Sequence, residues 1–349
     1  MLSNERSREH DAGTPVTLNR PVFILSVDFE LLWGYVLHPK DRAVALLLRD
    51  ETQGRSSVLT LLNILDRHGL PATWATVGNL FLDPDHTHPG LPGAVHAGLL
   101  GQADRRLFHA PDLIETIRRS PTGHEIGYHS FSHVRFSECT PEIALRELSQ
   151  GVRVAAERGL SLRSFVFPEN KLGHTTLLKQ AGFLIYRGRN LGGRGVEQGL
   201  GRRVKSLVTR RITAPAVAPI WRDGLWEVPG SMLFGDLLRP FTVVSRATRG
   251  LRAAIRHNMI FHPWLHPHDL LLDPGLAAKL DTFLALVTQK RERGELEVMT
   301  MGELATVLTG EALPRSTEMA SSVGTPDQVP VGLVGKACAL RLSDPERDS

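Results

Sequence analysis

The sequence predicts an α/β fold in which a largely parallel sheet closes into a barrel with helices outside. Strand-like apolar runs alternate with helix-period segments over residues 21–308, which is typical of βαβ connections. No Gly-x-Gly-x-x-Gly follows the first strand, which argues against an open dinucleotide-binding sheet. Chemically active residues recur where several predicted strands end, and barrels place their active sites at these ends.

The first half of the chain shows clear strand and helix signals. Runs of β-forming residues predict strands at residues 22–28, 72–77, 125–128 and 164–167. Apolar residues at helical spacing predict helices at residues 56–68, 111–120, 140–158 and 174–181. Gly69 ends the first of these helices, while Thr140 and Pro141 supply the N-cap and the first-turn proline of the third.

The second half continues the same alternation. Strands are predicted at residues 183–186, 225–229, 259–265 and 296–299. Helices are predicted at residues 242–257, 274–293 and 301–308. Residues 84–109 form a predicted excursion beside the barrel mouth, and residues 188–211 a mobile loop rich in arginine. The predicted domain is therefore 21–308, preceded by a flexible segment (1–20) and followed by a disordered tail (309–349).

Length and composition set broad limits. The 349 residues can bury a large core, and 42% hydrophobic residues with 22% charged residues are ordinary for a globular protein. A formal net charge of +4 is too small to predict nucleic-acid binding. Two cysteines, Cys139 and Cys338, provide no disulfide framework. The polar N-terminus and the lack of long apolar runs predict a cytoplasmic protein without a membrane span.

Acidic and histidine side chains follow two of the predicted strands. Asp28 and Glu30 end the first strand, and His129 and His133 follow the strand at 125–128. Buried carboxylates need a metal, an arginine or solvent, and histidines four apart can share one side of a turn. Two histidines and one carboxylate make a metal site with open positions, which predicts metal-assisted hydrolysis.

Further polar residues end the later strands. The run from Phe261 to His268 contains three histidines, of which His266 lies at the strand end and suits a general acid. Trp264 precedes it and suits a platform for a sugar ring. Asn170 follows the strand at 164–167, and Glu227 lies in the strand at 225–229.

These residues together resemble the motifs of the polysaccharide deacetylase family, of the NodB-homology or carbohydrate esterase 4 type. The first family motif aligns with residues 26–30 (SVDFE), the second with residues 129–133 (HSFSH), and the others with 165–168, 225–231 and 260–266. Residues 26–34 (SVDFELLWG) are similar to a cytoplasmic subgroup of this family. The resemblance implies a distorted (β/α)7-type NodB-homology barrel.

The resemblance also implies roles for these residues. Glu30, His129 and His133 would bind a divalent ion, with Zn²⁺ first and Co²⁺, Fe²⁺ or Mn²⁺ as alternatives. Asp28 would be the general base and His266 the general acid. A swap, with Asp28 on the metal, stays open.

Expected substrate contacts accompany this machinery: Trp33, Asn170, Arg187, Glu227 and Trp264. A backbone N–H near Glu169 or Asn170 would stabilise the oxyanion. Val166 replaces the arginine that usually orients the base in this family, and Arg187 is the expected substitute.

The predicted reaction is removal of an N-acyl group, most simply acetyl, from an amino sugar. The substrate would be nucleotide-, lipid- or glycoside-linked, with the arginines of residues 187–211 binding phosphate. Two alternatives stay open: a cyclic amide or ureide hydrolase of the allantoinase type, and an inactive carbohydrate-binding relative. The second is motivated by Phe29, which stands where the family has a metal-binding aspartate, and by Val166 and Glu169 in the third motif. The oligomeric state is not predicted.

Overall fold

Strands and helices alternate along the part of the chain described by this computed structural model, namely residues 13, 15–35, 42–84, 105–189, 214–235 and 243–310. The strands are β1 (Val22–Phe23), β2 (Ser26–Phe29), β3 (Thr73–Thr76), β4 (Glu125–Tyr128), β5 (Ser164–Val166), β6 (Ile185–Gly188), β7 (Ile220–Arg222), β8 (Leu225–Pro229), β9 (Met232–Leu233), β10 (Ile260–Phe261), β11 (Pro263–Leu265) and β12 (Glu297–Val298). The helices are α1 (Arg42–Arg49), α2 (Glu51–His68), α3 (Pro111–Arg118), α4 (Pro141–Glu157), α5 (Thr175–Gln180), α6 (Val243–His257), α7 (Asp269–Leu272), α8 (Leu276–Glu292) and α9 (Met301–Thr309).

The main sheet is a curled, mostly parallel sheet. Within the described ranges it has nine strands, in the order β7-β8-β6-β5-β4-β3-β2-β11-β9. Only β7 runs antiparallel, because it forms a hairpin with β8. The carboxyl ends of the parallel strands therefore meet at one edge, where the active site of a barrel is expected. This confirms the predicted α/β barrel class.

Two of the predicted strands are each divided into two short ones. The run 22–28 gives β1 and β2, and the run 259–265 gives β10 and β11; β1 and β10 join β12 in a separate small sheet. The division in the second run falls at His262, whose N–H donates to the Ser231 hydroxyl (2.9 Å) rather than to a neighbouring strand. The interrupted ladder lets the chain pass from one sheet to the other.

Helix ends agree with their capping signals. The Thr140 hydroxyl accepts from the N–H of Ile143 at the start of α4, and Gly69 ends α2 in the left-handed conformation. Helix α2 begins earlier than predicted, because Asp50 caps it and its first turns are polar. Helix α1, helix α7 and the β7–β8 hairpin were not predicted. The strand predicted at 183–186 lies two residues further along, as β6.

Several sequence predictions concern residues outside the described ranges. Most of the excursion at 84–109, most of the arginine-rich loop at 188–211 and all but the first two residues of the tail at 309–349 are in this group. Within the N-terminal segment 1–20, Pro15 bridges Ile220 of the edge strand β7. Helix α9 extends to Thr309, one residue beyond the predicted domain boundary.

Buried aromatic and aliphatic side chains fill the space between the main sheet and the helices, with Trp74, Phe29 and Phe165 among the residues without solvent exposure. No helix among the described residues is both long and apolar enough to cross a membrane. This packing supports the strands whose carboxyl ends carry the candidate site.

Candidate metal centre and active site

Pairing of neighbouring strands brings the acidic and histidine motifs to the same edge of the sheet. Strand β3 pairs with β2 on one side and with β4 on the other, so Asp28 and Gly127 both lie beside Ala75. Glu30 follows β2, and His129 follows β4. On the other side of β2, β11 places His266 at the same level.

Glu30, His129 and His133 form a compact, buried group of possible metal ligands. Glu30 Oε2 lies 3.4 Å from His129 Nε2 and 3.0 Å from His133 Nε2. Ligand atoms about 2.0–2.1 Å from a tetrahedral zinc ion are roughly 3.3 Å apart, so these separations fit a single ion. Two imidazoles and one carboxylate also leave a coordination position open for water or substrate. The residues present therefore fit a divalent metal.

A backbone hydrogen bond sets the tautomer of His129. Its Nδ1 donates to the carbonyl of Val166 at 2.8 Å, because a carbonyl can only accept. In the neutral ring, the lone pair available to a metal is then on Nε2, the atom that faces Glu30. Such a bond orients a metal-binding imidazole and raises its basicity. Val166 thus contributes its main chain where the family usually has an arginine side chain.

The loop between the two histidines is held by a buried carboxylate that the sequence analysis missed. Glu147 of α4 accepts from the N–H groups of Phe131 and Ser132 (both 2.8 Å) and from the Ser132 hydroxyl (2.7 Å). Burial raises the pKa of Glu147, and these hydrogen bonds only partly oppose that effect. The available signal was a glutamate on the otherwise apolar face of an amphipathic helix.

Left-handed backbone conformations cluster around the same edge. Ser130 and His133 have φ of 59° and 61°, Leu31 after the acidic motif has 46°, and Glu169 and Asn170 have 51° and 55°. Non-glycine residues in this region cost roughly 1–3 kcal/mol each and persist where the surrounding structure holds them. The clustering is the pattern expected of a functional site.

Asp28 makes a buried, bidentate ion pair with Arg187. The guanidinium nitrogens lie 2.6 and 2.7 Å from the two carboxylate oxygens, and both side chains are almost fully buried. Burial raises the pKa of Asp28, but the charge and hydrogen bonds of Arg187, together with the charges of His129 and His266, outweigh burial and hold the pKa below its ordinary value. Arg187 therefore holds the carboxylate of Asp28 in a fixed orientation, which is the contact expected of it in place of Val166.

A second layer of polar groups supports Arg187. Its Nη1 also donates to the Ser26 hydroxyl (3.0 Å), which lies 2.9 Å from His262 Nε2. Burial and the neighbouring Arg187 lower the pKa of His262 to about 3, so this imidazole is neutral and shares a hydrogen bond with Ser26. The guanidinium carbon lies 4.5 Å from the centre of the Trp264 ring. The Ser26 hydroxyl and the Trp264 ring therefore hold the Arg187 guanidinium in position.

His266 lies between three carboxylates. Its Nδ1 is 3.1 Å from Asp269 Oδ2, and its Nε2 is 3.6 Å from Glu30 Oε1 and 3.9 Å from Asp28 Oδ2. Burial lowers the pKa of His266, but Asp269 and Glu30 outweigh burial and raise it to about 10. Burial raises the pKa of Glu30, but His266, His133 and His129 together outweigh burial and hold the pKa well below its ordinary value. Asp269 was missed by the sequence analysis.

Two expected substrate contacts do not reach this edge. Trp33 is buried in the core, where its indole N–H donates to the carbonyl of Phe108 at 2.8 Å. Glu227 pairs across the strands with Tyr186, whose hydroxyl donates to it at 3.1 Å. Since successive side chains of a strand alternate faces, Glu227 lies on the face opposite to Arg187. Burial and strand alternation therefore place both side chains outside the group at this edge.

The other expected substrate contacts lie around the ion pair. Asn170 Oδ1 accepts from Arg187 Nη2 at 3.4 Å, and Trp264 packs against both Arg187 and His266. The backbone N–H of Asn170 donates to the carbonyl of Phe167 (2.9 Å), which removes it as an oxyanion donor. Arg187 itself has no exposed surface with which to bind a substrate.

Fold and site together define an α/β barrel with a two-histidine, one-carboxylate group at the carboxyl ends of its strands. Residues 38–185 match the family model of polysaccharide deacetylase, a stretch that includes His129 and His133. This part of the chain is therefore similar to polysaccharide deacetylases. The matched stretch excludes Asp28, Glu30 and His266, so their roles depend on geometry.

Solved structures show the same fold at low sequence identity. A protein designated a polysaccharide deacetylase from Mycobacterium smegmatis is 18% identical, with a TM-score of 0.57 over 88% of this chain and 99% of that one. The probable polysaccharide deacetylase of Pseudomonas aeruginosa PAO1 is 14% identical, with a TM-score of 0.53 over 81% and 89%. PuuE allantoinase is 12% identical, with a TM-score of 0.53 over 87% and 97%. Among curated proteins, none matches the chain.

Proposed function

We propose that this protein is a metal-dependent hydrolase that removes an N-acetyl or related N-acyl group from an amino-sugar substrate. The observation that carries the proposal is that two charged side chains, Asp28 and His266, lie at the same edge of the sheet as the possible metal ligands. His266 Nε2 lies 3.6 Å from Glu30 and 3.9 Å from Asp28, and Asp28 in turn pairs with Arg187. The match to the family model supports a deacetylase, and the donor set supports the metal.

Glu30, His129 and His133 would hold the ion, with Zn²⁺ as first choice. When bound, a divalent ion lowers the pKa of water and polarises the amide carbonyl. Glu30 is the better ligand of the two acids, because Asp28 already has both oxygens occupied by Arg187. The alternative in which Asp28 is the ligand would require that ion pair to open.

Asp28 would act as the general base. Its lowered pKa keeps it ionised at neutral pH, and Arg187 fixes its orientation, so a carboxylate oxygen can accept a proton from the attacking water. His266 would act as the general acid, since its raised pKa keeps it protonated until the amine leaves. Asp269 would orient the imidazole through Nδ1 and stabilise its protonated form before the proton is transferred from Nε2.

The substrate contacts proposed are Trp264 and Asn170, both at the side of the Asp28–Arg187 pair. The ring of Trp264 has Arg187 on one face and His266 at its edge, which would position a sugar ring beside the acid. A nucleotide-, lipid- or glycoside-linked amino sugar stays the proposed substrate class.

Alanine variants of His129 and His133 test the metal site. Each variant should lose bound zinc and reduce acetate release by more than about 100-fold, because a ligand is lost. His257→Ala, at the exposed end of α6, is the matched control and should change neither quantity. Full zinc occupancy with undiminished activity in both ligand variants would refute the site.

Substrate choice separates this proposal from its two alternatives. The metal-reconstituted protein is assayed for acetate release from UDP-linked N-acetylamino sugars, chito-oligosaccharides and small glycosides, and for opening of the allantoin ring. Acetate release without ring opening supports the deacetylase. Ring opening alone identifies a cyclic ureide hydrolase, and sugar binding without acetate release under any divalent metal identifies an inactive relative.

A further inference from the structure

The turn that follows Glu30 has no part in the proposed reaction. It is a short 3₁₀ helix, Leu31–Tyr35, which begins with Leu31 in the left-handed conformation (φ 46°). The N–H of Trp33 donates to the carbonyl of Glu30 at 2.9 Å and closes the turn. The chain therefore doubles back on itself, and Gly34 lies directly against the Glu30 side chain.

The contact between Gly34 and Glu30 leaves no room for a larger residue. A Cβ atom on residue 34 would overlap Oε1 and the carboxyl carbon of Glu30, and it would lie 2.9 Å from Oε2. The backbone does not itself require glycine at this position, because Gly34 does not have a positive φ. The missing Cβ thus makes space for the carboxylate.

The turn is anchored in the core by Trp33. This side chain is 1% exposed, its indole N–H donates to the carbonyl of Phe108 at 2.8 Å, and its ring meets the Phe108 ring edge-on at 5.5 Å. A turn held in this way cannot easily retreat from its neighbour, whereas a carboxylate is the far end of a flexible side chain. A methyl group on residue 34 would therefore move the carboxylate of Glu30 rather than the turn.

We propose that Gly34 is a positioning residue, which holds the Glu30 carboxylate at the place where it can share an ion with His129 and His133. Glu30 Oε2 lies 3.4 and 3.0 Å from the Nε2 atoms of these two histidines. Ligand distances in a metal site hold to within about 0.2 Å, so a displaced carboxylate leaves the ion with two ligands from this group. The inference rests on the metal site of the proposed function, but on neither its substrate nor its reaction.

The zinc affinity of Gly34→Ala tests this role without reference to activity. The metal-free full-length protein is titrated with Zn²⁺ in competition with a chelator of known affinity. Gly34→Ala should bind zinc roughly 10–100-fold more weakly than wild type, while the circular dichroism and the cooperative urea unfolding of the metal-free protein are retained. Gly235→Ala is the matched control and should bind zinc as wild type does, because a Cβ there meets the Leu233 side chain at ordinary distances of 3.6 and 3.7 Å.

A double-mutant cycle separates positioning of the carboxylate from a general effect on the fold. In the Glu30→Ala background no carboxylate is left to displace, so adding Gly34→Ala should change the zinc affinity by less than about twofold. An equal loss in both backgrounds, an unchanged affinity of Gly34→Ala, or loss of its cooperative unfolding would overturn the proposal. A wild type that binds no zinc would overturn both this proposal and the metal site. Zinc affinity that depends on Gly34, without acetate release by wild type, would refute the proposed function and leave the positioning role intact.

Discussion

Replacing Arg187 by methionine should remove the partner of a buried charge and destabilise the whole domain. Asp28 and Arg187 are 3% and 1% exposed, and two hydrogen bonds of 2.6 and 2.7 Å join them. Removing one partner of such a pair costs about 3–5 kcal/mol, because the other charge stays buried and unpaired. This is a large part of the roughly 5–15 kcal/mol that typically stabilises a folded protein.

The loss of stability caused by Arg187→Met should depend on pH in a defined direction. In wild type, the lowered pKa of Asp28 stabilises the fold above its ordinary value of about 4, and this stabilisation is lost as the pH falls through the lowered pKa. Without Arg187, burial raises the pKa, so Asp28 becomes a penalty that grows as the pH rises above about 4. The difference between Arg187→Met and wild type should therefore be largest at neutral pH and shrink toward pH 4.

Urea unfolding at pH 7 and at pH 4.5 measures this difference. The matched control is Arg153→Met, which breaks an exposed pair with Glu157 and should cost less than about 1 kcal/mol. Combining Arg187→Met with Asp28→Asn should restore part of the stability, because no charge is left unpaired. A loss below about 1 kcal/mol at pH 7, or one that does not shrink at pH 4.5, would refute the reasoning.

Two other features give quantitative expectations. Glu147→Ala should cost about 1–3 kcal/mol in urea unfolding and weaken zinc binding about 10–100-fold, because it frees the loop between the proposed metal-binding histidines. Glu157→Ala on the same helix is the control, and an unchanged zinc affinity of Glu147→Ala would contradict the expectation. His124 accepts the N–H of Ala72, and burial lowers its pKa, so the free energy of unfolding should fall as the pH drops below about 6.5. His124→Gln should reduce that slope by up to about 1.4 kcal/mol per pH unit, and an unchanged slope would exclude His124 as its source.

Local signals predicted most of the elements, and the failures have physical causes. Strand β4 and helix α4 agree with their predicted bounds within a residue, because apolar runs and capping residues act over short distances. Strand β6 was placed two residues too early because it contains Arg187, a charge that hydropathy assigns to a loop. Pairing with Asp28 is what makes that arginine an interior residue of a strand.

At the candidate site, too, local sequence signals predicted some residues, and contacts between distant residues determined the others. The spacing of His129 and His133 and the position of Glu30 after a strand were enough to propose one metal-binding group. The supporting residues Glu147 and Asp269 were missed, because their roles depend on contacts between separate elements. Trp33 packs in the core as Phe29 of the same motif does, whereas Asp28 and Glu30 of that motif lie at the candidate site.

The Asp28–Arg187 pair has a consequence for the order of folding. Its two residues are 159 positions apart, and Arg187 lies in β6, whereas Glu30, His129 and His133 all precede β5. A growing chain therefore contains all three proposed zinc ligands well before it contains the countercharge of the proposed base. Synthesis of the chain thus separates the two groups, so metal binding and hydrolytic competence should arise at different times. A fragment ending before β6 would carry the proposed metal ligands together with an uncompensated interior aspartate.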